Sequence, residues 1–285
     1  MAREGLTILE VISKSSQYLK RKGISRYKTD SEWLVAFALK CKRMDLYLRF
    51  GELLGDEILD VIKNLVIKRG KRIPLQHILG EVHFAGLTLK SDRRALVPRF
   101  ETEFLVDYLK NQLSSAFSGK IADLGCGSGA ISLSLGALMP NAKIWGFDKS
   151  ISALALANEN LSLCKLEGQV FFEEFDWLAN ASLAGQYDLI VCNPPYLTQK
   201  EWQEADPEVR LHDPKEALIS QKNGLNDLEH VVSIASNSLN KDGHLALEFG
   251  LNQADAVEEL LNGTFDVDIV KDQYLVRRFA FASKK

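Results

Sequence analysis

Four consecutive residues, Asn193-Pro194-Pro195-Tyr196, carry the most specific chemistry in the chain. They directly follow the apolar run Asp188-Leu189-Ile190-Val191-Cys192, which reads as a buried strand. Two successive prolines lack N–H donors and hold φ near −65°, so the segment is stiff and its carbonyls point at whatever fills the site. An amide precedes them and an aromatic ring follows. This set suits methyl transfer to a planar NH2 group whose lone pair is delocalised into an amide or a nucleobase. If the Asn193 side-chain oxygen and the Pro194 carbonyl each accept one N–H, the nitrogen is held with its face toward the methyl donor. The same bonds favour pyramidalisation and free the lone pair, so positioning and electrostatics suffice without a general base. Tyr196 packs on the flat group and offers its ring to developing positive charge. Catalytic roles are therefore expected at Asn193, Pro194 and Tyr196, and substrate contacts at Asn193, Pro194, Pro195 and Tyr196.

A second chemical segment lies upstream, at Asp123-Leu124-Gly125-Cys126-Gly127-Ser128-Gly129-Ala130, between a strand pattern and the apolar helix of Ile131, Leu133 and Leu135. Glycines at alternate positions let the backbone pass close to a ligand, and a helix start supplies unpaired N–H groups. The spacing is G-x-G-x-G, not the G-x-G-x-x-G of dinucleotide folds. It resembles the S-adenosylmethionine loop of class I methyltransferases. Asp148 ends the next strand, where it can accept hydrogen bonds from both ribose hydroxyls or, more plainly, cap the following helix. Asp176-Trp177 ends the third strand and offers a carboxylate with a flat apolar face for an adenine.

The elements that must position these residues follow from periodicity. From Thr7 to about Gly70 apolar residues recur at three and four, with breaks at Gly23, Gly51 to Gly55 and Gly70; this predicts a small helical bundle. Between Ile73 and Glu103 short extended pieces include a hairpin arm at Phe84–Leu89. Strands are expected at 120–124, 143–148, 170–175, 187–192, 244–249, 266–270 and 276–282, with helices between the first five. Such alternation predicts an α/β fold with a mostly parallel sheet. The expected domains are a bundle at 1–72 for partner recognition, a connecting hairpin segment at 73–97, and a catalytic domain at 98–285.

Composition narrows the setting. The 285 residues are 46% apolar and 26% charged, which excludes a disordered or collagen-like chain. The net charge of −3 conceals a split: residues 1–94 hold 19 Lys/Arg against 11 Asp/Glu, and residues 95–285 hold 16 against 27. The basic cluster Lys20, Arg21, Lys22, Arg26 and Lys28 reads either as a solvated helix end and turn or as a docking face for an acidic or nucleic-acid-bearing partner. Four scattered cysteines without a C-x-x-C pair, no long apolar run and no leader pattern point to a reducing cytoplasmic setting. The five histidines stand without a second ligand at metal-site spacing, so no metal is expected.

Taken together, the sequence resembles the release factor glutamine-N5 methyltransferases (the PrmC/HemK family) over nearly its whole length. The resemblance rests on Arg72–Gly80, Val97–Glu103, the loop at 123–130, Asp176-Trp177 and Asn193–Tyr196. Asp213–Leu218, Asn223-Gly224-Leu225 and Leu247-Glu248-Phe249-Gly250 with Gln253 extend it. It implies a class I S-adenosylmethionine-dependent methyltransferase, Rossmann-like with a seven-stranded sheet, plus a helical N-terminal domain. It implies S-adenosyl-L-methionine as cofactor, held by Gly125, Cys126, Gly127, Ser128, Gly129, Asp148, Trp177 and Asn193. The implied substrate is the glutamine of a Gly-Gly-Gln tip in class 1 peptide chain release factors, with no duplex DNA, no membrane and a monomeric enzyme. Phe100, where the family usually has proline, and His77 and His212 depart from the pattern without touching the methyl-transfer residues. Arg99, Glu101 and Glu103 either border the cofactor and partner groove or form an ion pair joining the domains. An adenine-N6 or cytosine-N4 nucleic-acid methyltransferase would use the same Asn-Pro-Pro-Tyr chemistry, but the acidic catalytic half opposes phosphate binding. A dinucleotide oxidoreductase and a non-catalytic scaffold are disfavoured by the loop spacing and by the intact Asn193.

Overall fold

The computed structural model describes residues 5–113 and 115–285, which divide into two compact units. The first runs to Gly80 and also takes in Pro207–His212. In it β1 (Leu6–Thr7) leads into α1 (Ile8–Arg21), followed by α2 (Tyr27–Ala38), β2 (Leu53–Leu54), α3 (Asp56–Gly70) and α4 (Leu75–Leu79). Thr7 and Glu10 close a capping box at the start of α1. One apolar stripe from each long helix meets in a single core that includes Ile8, Leu19, Leu34 and Ile62. Lys20 and Arg21 end α1, where cations complement the helix dipole.

That core carries one buried charge cluster. Arg69 of α3 pairs with Asp30 of α2 at 2.7 Å and with Glu208 at 2.8 Å, and Arg72 meets the other Glu208 oxygen at 2.6 Å. Glu208 therefore explains why Pro207–His212 packs with residues far upstream. Desolvation raises the Asp30 carboxyl against the lowering pull of Arg69.

The second unit begins with the hairpin β3 (Glu81–Phe84) and β4 (Leu87–Lys90), joined by Ala85-Gly86 with both φ values positive, as two-residue hairpins require. The chain then runs through α5 (Phe100–Leu113), β5 (Lys120–Leu124), α6 (Ala130–Leu138), β6 (Lys143–Asp148), α7 (Ile151–Cys164), β7 (Val170–Glu174) and β8 (Tyr187–Cys192). After β8 come α8 (Gln199–Glu204), α9 (Pro207–His212, of the first unit), α10 (Gln221–Gly224), α11 (Asn226–Ser238) and β9 (Leu239–Glu248). α12 (Ala254–Leu261), β10 (Phe265–Lys271) and β11 (Arg277–Lys284) complete it.

The seven strands align as β10-β11-β9-β8-β5-β6-β7, all parallel except β11, which runs against both neighbours. Both faces are covered. Along β8, Ile190 and Cys192 pack with Leu228 and Val231 of α11, while Leu189 and Val191 pack with Leu105 and Leu133 on the other side.

The structure differs from the sequence expectations in three places. No helix lies between β7 and β8; residues 175–186 cross by turns, anchored by Trp177 and Leu183 in the core below. The units divide at Gly80 rather than at 72, because Leu75, Ile78 and Leu79 pack on the bundle core. The hairpin belongs to the catalytic unit, because Val82, Phe84 and Leu89 join its core.

Truncating Arg69 leaves two carboxylates short of their partner. Arg69→Ala is expected to destabilise the protein by about 3–5 kcal/mol in thermal or urea unfolding. Asp30→Leu combined with Arg69→Met should recover most of the loss, and equal stability of Arg69→Ala and wild type would contradict the charge cluster's role.

Candidate active site

The sheet reverses its winding between β5 and β8: the chain leaves β5 toward β6 on one side and leaves β8 toward β9 on the other. Ligands bind at the carboxyl ends of strands at such a point. Here Leu124 is paired with both Phe147 and Cys192, and Cys192 with Leu247. The residues that follow these four, Gly125, Asp148, Asn193 and Glu248, therefore leave the sheet side by side.

The glycine loop is shaped by left-handed backbone. Gly125, Gly127 and Gly129 have φ of 75°, 55° and 81°, a region costly for residues with a Cβ. Gly125 also carries Trp177 so close that a Cβ would stand 3.1 Å from the indole ring. Several loop donors are already used. Gly125 and Cys126 both donate to the Phe147 carbonyl, Gly129 donates to Cys126, and Gly127 donates to Asp148 Oδ2 at 2.9 Å. Asp123 accepts from both the backbone N–H and the hydroxyl of Ser132, at 3.0 and 2.6 Å, which ties the strand end to α6. Burial pushes the Asp123 carboxyl up to about 7. The N–H groups of Gly125, Cys126, Gly127 and Gly129 are thus spent within the protein, and what this stretch of the loop offers a ligand is close backbone.

A cavity of about 410 Å³ opens against this loop, of a size that takes a nucleoside-sized ligand. Gly125, Gly127, Asp148, Trp177, Asn193 and Pro195 all line it, together with Asp176. Asp148 accepts from Gly127 N–H on one oxygen and from Ser150 N–H on the other, which leaves a lone pair on each for a ligand hydroxyl. Trp177 is held by its indole N–H to Asp227 at 2.8 Å and is almost fully buried, so it forms floor more than platform. Cys126, Ser128 and Gly129 do not line the cavity: Cys126 and Ser128 are buried, and a Cβ on Gly129 would strike Phe172.

Sequence reasoning missed Phe175, Arg94 and Glu216 as lining residues. Glu216 lies in the Asp213–Leu218 motif, so the signal was present without a role attached. Arg99 of the Val97–Glu103 motif pairs with Asp213 at 2.5 Å, and both belong to the catalytic unit; the alternative that Arg99 joins two domains through an ion pair is not what the structure shows.

Beyond the cavity wall the Asn193–Tyr196 segment is fastened at three points. Asn193 Nδ2 donates to Thr102 Oγ1 at 3.1 Å, and Thr102 Oγ1 donates to Glu248 Oε2 at 2.7 Å. The Tyr196 hydroxyl makes a longer bond of 3.4 Å to Glu248 Oε1. Gln253, itself gripped by the Gly250 N–H, donates to the Tyr196 carbonyl at 3.1 Å. Pro194 is buried within this framework. Glu248 is 1% exposed, and desolvation pushes its carboxyl up to about 7, opposed by the Thr102 bond and by Arg278 of β11 and reinforced by Glu101 of α5. Burial also raises the Tyr196 phenol.

These shifts set a pH dependence. A carboxyl raised above its unfolded value of 4.5 stabilises the fold fully below that value and loses its contribution as pH rises through about 7. Glu248→Gln is expected to raise stability at pH 8 by on the order of 3 kcal/mol and to change it little at pH 4.5, at about 1.4 kcal/mol per pKa unit. Melting curves at the two pH values check this; equal effects at both would contradict the buried, raised carboxyl.

Among the described residues no group of His, Cys, Asp or Glu could hold a metal ion, and no helix is long and apolar enough to cross a membrane. Residues 100–221 match the methyltransferase small domain, and residues 10–80 match the PrmC N-terminal domain. Among solved structures, a methyltransferase from Pyrococcus furiosus superposes with a TM-score of 0.53 at 17% identity, covering 70% of this chain and 89% of that one. The catalytic domain of hMettl16 does so with 0.56 at 15%, covering 82% and 84%. These likenesses concern the fold. The release factor glutamine methyltransferase of Deinococcus radiodurans is 35% identical over 98% of this chain and 99% of its own. That of Geobacter sulfurreducens is 34% identical over 90% and 89%. With both domains matched and identity sustained from end to end, the chain belongs to the release factor glutamine methyltransferase family.

Proposed function

We propose that this chain transfers a methyl group from S-adenosylmethionine to the side-chain amide nitrogen of the glutamine in the Gly-Gly-Gln tip of peptide chain release factors, tuning translation termination. The observation that carries the reading is that Asn193 stands on the wall of the same cavity as Gly125, Gly127 and Asp148. One pocket thus joins a nucleoside-type acceptor to an amide able to hold a planar NH2 group.

The residues present fit the cofactor. A Cβ on Gly127 would meet only Ala95, at 3.8 Å, so the space it would fill belongs to the cavity. Gly125 and Gly127 give close backbone, Asp148 gives the acceptor for ribose hydroxyls, and Phe175 and Trp177 give apolar surface. When bound, S-adenosylmethionine supplies an electrophilic methyl group on sulfur. The chain's own part is to orient the acceptor: Asn193 Oδ1 and the Pro194 carbonyl each accept a hydrogen bond from one amide N–H, and Tyr196 lies against the flat group. Developing positive charge on nitrogen is met by these oxygens, the kind of preorganised electrostatics that costs no rearrangement during reaction. As the N–C bond forms the methyl–sulfur bond breaks, its electron pair staying on sulfur, and the nitrogen gives up one proton to water.

The remaining assignments rest on sequence character. The N-terminal helical unit, basic by composition, is assigned to recognition of the release factor, and the enzyme is placed in the cytoplasm as a monomer with no affinity for duplex DNA. The acidic balance of residues 95–285 supports the last of these.

The test uses the full chain with S-adenosylmethionine labelled in its methyl group and, in parallel, a class 1 release factor, its Gly-Gly-Gln variant with Gln→Ala, and duplex DNA. Label is expected on the release factor alone. Equal labelling of the Gln→Ala protein, or labelling of DNA in preference, contradicts the proposal.

A further inference from the structure

We infer that Thr102 and Glu248 are positioning residues that lock the rotational state of the Asn193 amide, so that its oxygen and not its NH2 faces the acceptor nitrogen. This rests on the function proposed above. An asparagine amide can turn over by 180° with little change in shape, exchanging an acceptor for a donor. At this site the two states are chemically opposite. Oxygen outward accepts a hydrogen bond from the substrate NH2; nitrogen outward sets donor against donor and leaves the acceptor nitrogen unheld.

The hydrogen-bond chain decides between them. Thr102 has a single hydroxyl proton, and it is given to Glu248 Oε2 at 2.7 Å. Thr102 Oγ1 can then only accept, and the group it accepts from at 3.1 Å must be Asn193 Nδ2. The Asn193 oxygen is left for the cavity, which Asn193 lines. Glu248 is the anchor because, as a carboxylate, it offers no proton of its own to reverse the chain, and it is 1% exposed, so no solvent competes for Thr102. Its other oxygen takes the Tyr196 hydroxyl, so one carboxylate sets both ends of the tetrapeptide. Neither residue meets the reacting atoms.

The lock gives the Glu101-Thr102-Glu103 and Leu247-Glu248-Phe249-Gly250 stretches a chemical task. Protonating Glu248 would free Thr102 to turn its own proton toward Asn193. The charged and titratable groups around that carboxyl are Glu101 from α5, Tyr196 from the segment after β8, and Arg278 from β11.

The experiment compares steady-state methyl transfer to a release factor by the wild-type chain, Thr102→Val and Thr102→Ser, with cofactor affinity measured by calorimetry. Thr102→Val keeps shape and removes the hydroxyl. It is expected to lower kcat about 10- to 100-fold, the scale of a misplaced catalytic group, with cofactor Kd and release factor KM within about twofold. Thr102→Ser should restore kcat to near the wild-type value. A kcat for Thr102→Val equal to wild type, or a loss that Thr102→Ser does not rescue, overturns the inference. As a second measurement that does not depend on the folding of Thr102→Val, the wild-type kcat should rise with pH as Glu248 ionises near 7, and Glu248→Gln should flatten that limb. Identical profiles overturn the inference. Absence of transfer by the wild-type chain instead contradicts the proposed function itself; transfer by wild type with an unchanged Thr102→Val contradicts the lock alone.

Discussion

A carboxylate shut away from water must find its hydrogen bonds in the protein, and Glu248 imposes that demand on the centre of the catalytic unit. It is 1% exposed, and its two oxygens are met by Thr102 and by Tyr196. Those donors come from α5 and from the segment after β8, so the carboxylate ties three parts of the chain at one place. Removing a donor would leave a buried charge unsatisfied, which is far more costly than the modest net gain of an ordinary hydrogen bond. The constraint therefore acts less as stability than as a specification of geometry. The raised carboxyl makes it a net burden on folding at neutral pH, a cost that sites of precise chemistry commonly carry.

The sheet makes this arrangement possible. Parallel pairing of Leu124 with Phe147 and Cys192, and of Cys192 with Leu247, places four strand ends in one row. The glycine loop, Asp148, Asn193 and Glu248 each leave from that row. The cofactor side and the acceptor side of the site are thus neighbours by register, before any side chain is considered. Backbone without Cβ at Gly125 and Gly127 then lets a ligand lie against the loop, while Trp177 and Asp227 hold the floor beneath it.

Much of this was legible in the chain. Strand runs such as Tyr187–Cys192 are apolar on both faces and short, and they were placed within a few residues. The glycine spacing and Asn193–Tyr196 stood out because their patterns are local, and the structure brings Gly125, Gly127, Asn193 and Pro195 to one cavity. What escaped is non-local. The bond from Asn193 to Thr102 spans 91 residues and that from Thr102 to Glu248 spans 146, so no window of sequence contains them. The absent helix between β7 and β8 was masked by apolar residues, Trp177 and Leu183, that turned out to anchor an irregular crossing. The packing of Pro207–His212 with the first unit rests on Glu208 meeting Arg69 and Arg72, again a contact across more than a hundred residues. Cys126, Ser128 and Gly129 lie in the same loop but off the cavity lining, the first two buried and Gly129 packed against Phe172, a distinction that spacing does not reveal.

The central claim is that an amide oxygen at position 193 holds the acceptor nitrogen during transfer. It is tested most directly by the kcat of Asn193→Ala on a release factor, with cofactor affinity measured on the same preparation. Loss of one preorganised polar partner should lower kcat about 100- to 1,000-fold, while cofactor Kd changes by only a few-fold. An unchanged kcat, or a loss explained wholly by weaker cofactor binding, would contradict it.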